Sequence, residues 1–159
     1  MSSRNIESII DKLKAILVEH LSSKLTDLEN EHDDGIPLTT PTVCEYTISL
    51  PQEDEFITIV GSTTVVNQQQ KQWALMTHGI YLTIWVIDTI STERITKRIY
   101  RYIRGMYEIL AAHLDLDCDG IILNFESINY TPLYETKRET VFMQGASILL
   151  RITVDENLI

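Results

Sequence analysis

Apolar residues first recur at helical spacing. Ile6, Ile9, Ile10, Leu13, Leu17, Leu21, Leu25 and Leu28 follow one another at steps that place them on one side of a helix, with charged residues on the other. Ser2 or Ser3 is the expected cap, its hydroxyl accepting a free backbone N–H. The pattern breaks over 29–42. There Glu31-His32-Asp33-Asp34-Gly35 is followed by Pro37 and Pro41, which predicts an acidic, mobile loop.

The period then changes from helical to two. Cys44, Tyr46, Ile48 and Leu50 alternate with Glu45, Thr47 and Ser49, a strand with one buried face. Pro51 and the acidic run after it predict a turn. The β-branched stretch 56–66 predicts a second strand, with Gly61 marking a bulge. Residues 67–72 are polar and glutamine-rich and read as a mobile hairpin tip. Over 76–88 the apolar residues run almost without interruption, which predicts a central strand covered on both faces.

Helical spacing returns over 93–114 in Ile95, Ile99, Tyr102, Ile103, Met106, Leu110 and Leu114, with Thr92 as the expected cap. The acidic run 115–120 ends this helix. A strand is predicted over 121–130, then a mobile polar connection at 131–140. The last strand carries the alternation Ala146, Ile148, Leu150, Ile152, Val154. The order is α-β-β-β-α-β-β. It implies an α+β fold with a mostly antiparallel sheet of about five strands and two helices on one face. The 159 residues suit one domain spanning 1–159, a size that buries about 70% of its unfolded surface.

The net charge of −10 is the wrong sign for a chain that binds nucleic acid as a whole. Sequence-specific readout is not expected. Charged residues interrupt the N-terminal apolar stripe, so it is no signal peptide. The uncharged stretch 72–87 includes Gln72, Thr77, His78 and Thr83 and falls short of the ~18–20 apolar residues of a membrane span. Cys44 and Cys118 form no CxxC pair and read as two reduced thiols, a single bridge between them being the alternative. These features together predict a cytosol-like compartment.

Two features suggest chemistry. Asp115, Asp117, Asp119, Gly120 and Glu126 satisfy the calcium-loop spacing D-x-D-x-D-G-x5-E. The sequence after it favours a strand rather than the exiting helix an EF-hand needs, and it ends at Pro132. Weak calcium binding is the most that this pattern predicts, and no other cofactor is expected. The second feature is basic: Arg94, Lys97, Arg98, Arg101 and Arg104 crowd the second helix, while the rest of the chain is acidic. Steps of three and four put them on a shared face. That face reads either as a solvated surface with local salt bridges or as one that meets an acidic patch on a neighbouring copy. Non-specific DNA contact is a third reading.

Catalysis finds no support in motifs, since GxSxG, P-loop, GxGxxG and HExxH patterns are all absent. His20, His32, His78 and His113 are isolated in sequence and read as structural. Trp73 and Tyr134, beside predicted loops, are candidate interface anchors; Trp85 reads as core, and Tyr130 is a further aromatic that could anchor a contact.

The element order and lengths resemble those of phage tail terminators. The likeness covers the opening helix 6–28, the helix 94–114, and Ile128-Asn129-Tyr130-Thr131-Pro132 before the strand 146–154. It implies a virion assembly protein and no enzyme. Such a subunit would form a hexameric ring of identical copies on the tail tube protein, stop polymerisation, and offer a surface to the head connector or neck proteins. It would be found in the virion, and in the host cytoplasm during assembly. A ring needs two different patches on each subunit. The expected contact residues are Arg94, Lys97, Arg98, Arg101 and Arg104 on the helix, and Gln69, Gln70, Trp73 and Tyr134 at the loops. Three other readings stand beside it: a head–tail neck or head completion protein, a calcium-binding interaction module, and a small enzyme of unrecognised type.

Overall fold

Helix α1 (Ile6–His32) opens on Asn5, whose side chain accepts the Ser8 N–H at 2.9 Å. The cap is therefore Asn5, the residue next to the first turn; Ser2 and Ser3 lie outside the described residues. The helix runs four residues past its last predicted apolar position, because no Gly or Pro interrupts it before Gly35. It ends at Asp33, in the left-handed conformation with φ 46°, whose N–H donates to the Glu29 carbonyl. The predicted loop 29–42 is shortened accordingly.

The computed structural model describes residues 5–45, 54–135 and 141–157. After α1 come β1 (Thr42–Cys44), β2 (Glu55–Gln69), β3 (Trp73–Asp88), helix α2 (Thr92–Ala111), β4 (Ile121–Tyr130), the two-residue β5 (Tyr134–Glu135) and β6 (Phe142–Asn157). The strands form one sheet in the order β1-β2-β3-β6-β4, with β5 also on β6. Every pairing is antiparallel except β1 with β2, which is parallel. The alternation expected over 46–50 lies outside the described residues. Helix α2 carries the chain from β3 to β4, leaving a gap of one strand, and β6 returns into that gap.

Both helices lie on one face and touch each other there. Ile80, Leu82, Ile84 and Val86 of β3 join Ile148, Leu150 and Ile152 of β6 beneath the leucine stripe of α1 and the Ile95, Ile99, Tyr102, Met106 stripe of α2. The helices pack against each other at Gly105, where even a Cβ would meet Leu28 at an ordinary contact distance of 3.4 Å. Cover of β3 on both faces does not occur. Its odd-numbered residues face away from the helices, and Tyr81 is 42% exposed. Trp85, expected in the core, is half-buried on that face, its ring lying over Gly145, where a Cβ would come within 2.7 Å of it.

Toward the β2–β3 turn, β2, β3 and β6 continue as a three-stranded arm, in which β2 is exposed from Ser62 to Gln69 and β3 stays paired with β6 as far as Trp73. Residues 67–69, predicted as part of a loop, belong to β2. The tip reduces to Lys71-Gln72, closed by the Gln70 N–H donating to the Trp73 carbonyl at 2.8 Å. The β2 register shifts between Gly61 and Thr63, the bulge that Gly61 predicted. The last helix ends three residues short of Leu114, which is exposed.

Candidate interaction surface

The basic residues of α2 are the first candidates to place. Ser91, one residue before the expected Thr92, caps the helix by accepting the Arg94 N–H at 3.1 Å. Arg98 is 3% exposed, because it shares the apolar stripe with Ile95 and Tyr102. Its guanidinium reaches Asp88 at the end of β3, at 3.0 Å, and Glu55 at the start of β2. Arg94 stands 3.0 Å from the same Asp88 carboxylate. Burial opposes the charge on Arg98, and bonds to Tyr102, Glu55 and Asp88 outweigh it, so its pKa is raised. Tyr102 donates to the Thr39 carbonyl at 2.6 Å, and burial pushes its phenol up to about 12.

Arg101 is also buried. It grips Asp34 through two bonds of 2.9 and 2.5 Å, locking the segment after α1 onto α2. Lys97 pairs with Glu93, and Arg104 lies exposed between Glu31 and Glu108. The shared basic face predicted from spacing is thus partly internal. Arg98 and Arg101 neutralise acids of their own chain and present no positive surface.

The Arg101 bond holds the Asp34 carboxyl down from 3.8 to about 2. A carboxylate depressed in the fold adds stability that is complete above its unfolded pKa and lost as pH falls through the folded one. Asp34→Asn should therefore flatten the loss of stability between roughly pH 4 and 2 relative to the parent chain. Urea titrations at stepped pH measure this. Equal slopes for the two proteins would show that the pair adds nothing in solution.

The calcium-like run does not assemble a site. No three His, Cys, Asp or Glu groups converge for a metal among the described residues. Glu126 sits on β4 and is held by Arg151 through bonds of 2.6 and 2.9 Å. Asp117 faces His113 at 3.1 Å, and Leu116 and Asp117 both adopt positive φ in the turn. A strand follows this turn, so the distal Glu is carried onto the sheet and away from the Asp run.

The remaining candidates are scattered. Gln69 ends β2, and Gln70 accepts the Trp73 indole N–H at 3.0 Å, so these three residues stiffen the arm tip. Tyr134 pairs through its backbone with Met143. Cys44 and Cys118 are free thiols. The fold stacks His20 on His113 at 4.8 Å, beside a groove between the helices lined by Lys24, Asp27 and Glu108. Sequence spacing had left those two histidines isolated. No described helix is long and apolar enough to cross a membrane.

The two edges of the sheet offer a further surface. Among the described residues β1 pairs with β2 only at Phe56–Thr58, and no described strand covers that edge of β2 over 59–69. At the opposite side of the sheet no described strand pairs with the outer edge of β4. Beside β4, Tyr100 stacks edge-on against Tyr130 at 5.4 Å, and Tyr107 packs on Phe125 at 4.4 Å. Tyr100, Tyr107, Ile122, Ile128 and Tyr130 are all exposed. Of these, the sequence suggested Tyr130 alone as a contact residue. The available signal was the seven-residue spacing of Tyr100 and Tyr107, two helical turns apart and off the core stripe.

No protein-family model matches the chain, and no curated protein matches it. Among solved structures, a chain of the "Virion of native gene transfer agent (GTA) particle" is similar with a TM-score of 0.37 and 11% identity, over 71% of this chain and 78% of that chain. That neighbour belongs to a virion.

Proposed function

We propose that this protein is a virion assembly subunit, and specifically a tail terminator that forms a ring on the tail tube and joins it to the head connector. The observation that carries the proposal is two unlike edges, at opposite sides of one sheet, that no described strand covers. Closed rings are built from heterologous contacts, in which one patch of a subunit meets a different patch of the next. The edge of β2 and the edge of β4 meet that requirement. Exposed tyrosines flank one of them, and tyrosine is enriched at protein interfaces.

In this role the protein is no enzyme and needs no cofactor. Its partners are its own copies, the tail tube protein and the head connector. The exposed arm, with Gln69, Gln70 and Trp73 at its tip, is free to meet an axial neighbour. Lys97 and Arg104, the two half-exposed cations of α2, are the basic residues available for contact. A neck or head completion protein would share this geometry and differ in its axial partner.

The test is solution mass by light scattering across a concentration series, with and without calcium, followed by addition to growing tail tubes of the same particle. A closed oligomer that halts tube growth is the expected result. An oligomer that ignores tubes and binds the connector would favour the neck role. A mass change that requires calcium would shift the reading to the Asp115–Glu126 segment.

A further inference from the structure

We infer that neighbouring copies of this chain join edge to edge, β2 of one copy hydrogen-bonding to β4 of the next, with Val65 of the first against Ile122 of the second. This deepens the ring reading above and rests on it for closure. It assigns the contact surface to two specific strands.

Bulges interrupt both strands and Glu126 lies on β4, but the stretches Thr63–Val66 of β2 and Ile121–Asn124 of β4 carry no charge, proline or register shift. Residues 59–69 of β2 contain no charge and no proline, and β4 contains no lysine and no proline. Unpaired edges in soluble proteins are usually blunted by such residues, because bare N–H and C=O groups recruit another strand. A second copy supplies both complementary edges at once.

Strand direction permits the join. Along β2-β3-β6-β4 every pairing is antiparallel, so β2 and β4 run in opposite directions. Rotation about an axis along the strands preserves direction, so β4 of one copy meets β2 of the next antiparallel. The alternation then continues across the boundary.

Register fixes which residues meet. Ile122 pairs with Thr153, Thr153 with Thr77, and Thr77 with Val65. Directly paired residues point to the same face, so Ile122 and Val65 stand level on the face away from the helices. They are 60% and 47% exposed. The β2 stretch from Thr63 to Val66 and the β4 stretch from Ile121 to Asn124 are each free of register shifts, and they lie at the same height. Charge agrees with this alignment. Lys71 at the arm tip lies toward the same end of the sheet as Asp115, Asp117 and Asp119, which precede β4, and all four are exposed. A join without axial slip brings the cation of one copy toward the acids of the next.

The experiment uses the full chain with Cys118→Ser, which removes the half-exposed native thiol; Cys44 is buried. Chains carrying V65C and chains carrying I122C are mixed and oxidised with copper phenanthroline in air. Opposed antiparallel residues bring Cβ atoms within about 4.5–5.5 Å, close to the reach of a disulfide. A covalent dimer should form in the mixture and in neither variant alone. A chain carrying both substitutions should give a ladder that ends at the ring number. Val65→Asp and Ile122→Asp should each abolish the assembly while leaving the far-ultraviolet circular dichroism unchanged, since both side chains are exposed. A light-scattering oligomer without the cross-link would overturn the edge assignment and leave the ring reading standing. Monomer at every concentration with no cross-link would overturn both. A V65C-only dimer would report two-fold pairing and would also overturn it.

Discussion

Replacing Arg98 with alanine is expected to lower the unfolding free energy by about 3–5 kcal/mol, the cost of removing one partner from a buried ion pair. Three elements meet at this guanidinium. Asp88 closes β3, Glu55 opens β2, and Arg98 hangs from the first half of α2. The Arg98 and Asp88 side chains are nearly inaccessible to water. Alanine would leave Asp88 with Arg94 and the Ile90 N–H beside it and Glu55 with no described cation. Lysine at 98 should restore only part of the stability, because a point charge replaces a planar fork that spans two carboxylates. Urea unfolding followed by tryptophan fluorescence measures the change. A loss below about 1 kcal/mol would mean that the pair behaves as a solvated one.

Leu17→Ala should cost about 2–5 kcal/mol, while the adjacent Val18→Ala should stay within about 0.5 kcal/mol. Leu17 is fully buried in the layer between α1 and the sheet, whereas Val18 is 62% exposed. One deletion leaves a cavity among packed side chains. The other removes surface that water already covers. The same unfolding measurement serves both variants. Similar losses for the two would place the apolar stripe of α1 on a different face.

Some of the candidate surface was legible in the residues and some was not. The bulge at Gly61 and the strand after the Asp run followed from local chemistry, since glycine, β-branching and Pro132 act on their own neighbours. The fate of the basic helix did not. Spacing showed that Arg94, Arg98 and Arg101 cluster on α2, but Asp88, Glu55 and Asp34 are 6 to 67 residues away along the chain. Whether an arginine faces water or a buried carboxylate depends on which distant acid the fold brings to it. The stack of His20 on His113 has the same origin.

The sequence by itself determined the order of elements, the two helical stripes and the inward alternation of β6, because periodicity is a property of consecutive residues. That both helices share one face was expected from the sequence; only the tertiary structure showed that the apolar run of β3 is in consequence half uncovered and carries Tyr81 and Trp85 toward solvent. It also decided that β6 slots between β3 and β4, that β1 runs parallel to β2, and hence which strands keep an edge without a described partner strand. Strand order follows from how hydrogen-bonding groups distant in sequence find one another once the core closes. Two edges at opposite sides of a sheet, without a described partner strand, are a property of that closure, and local periodicity carries no record of it.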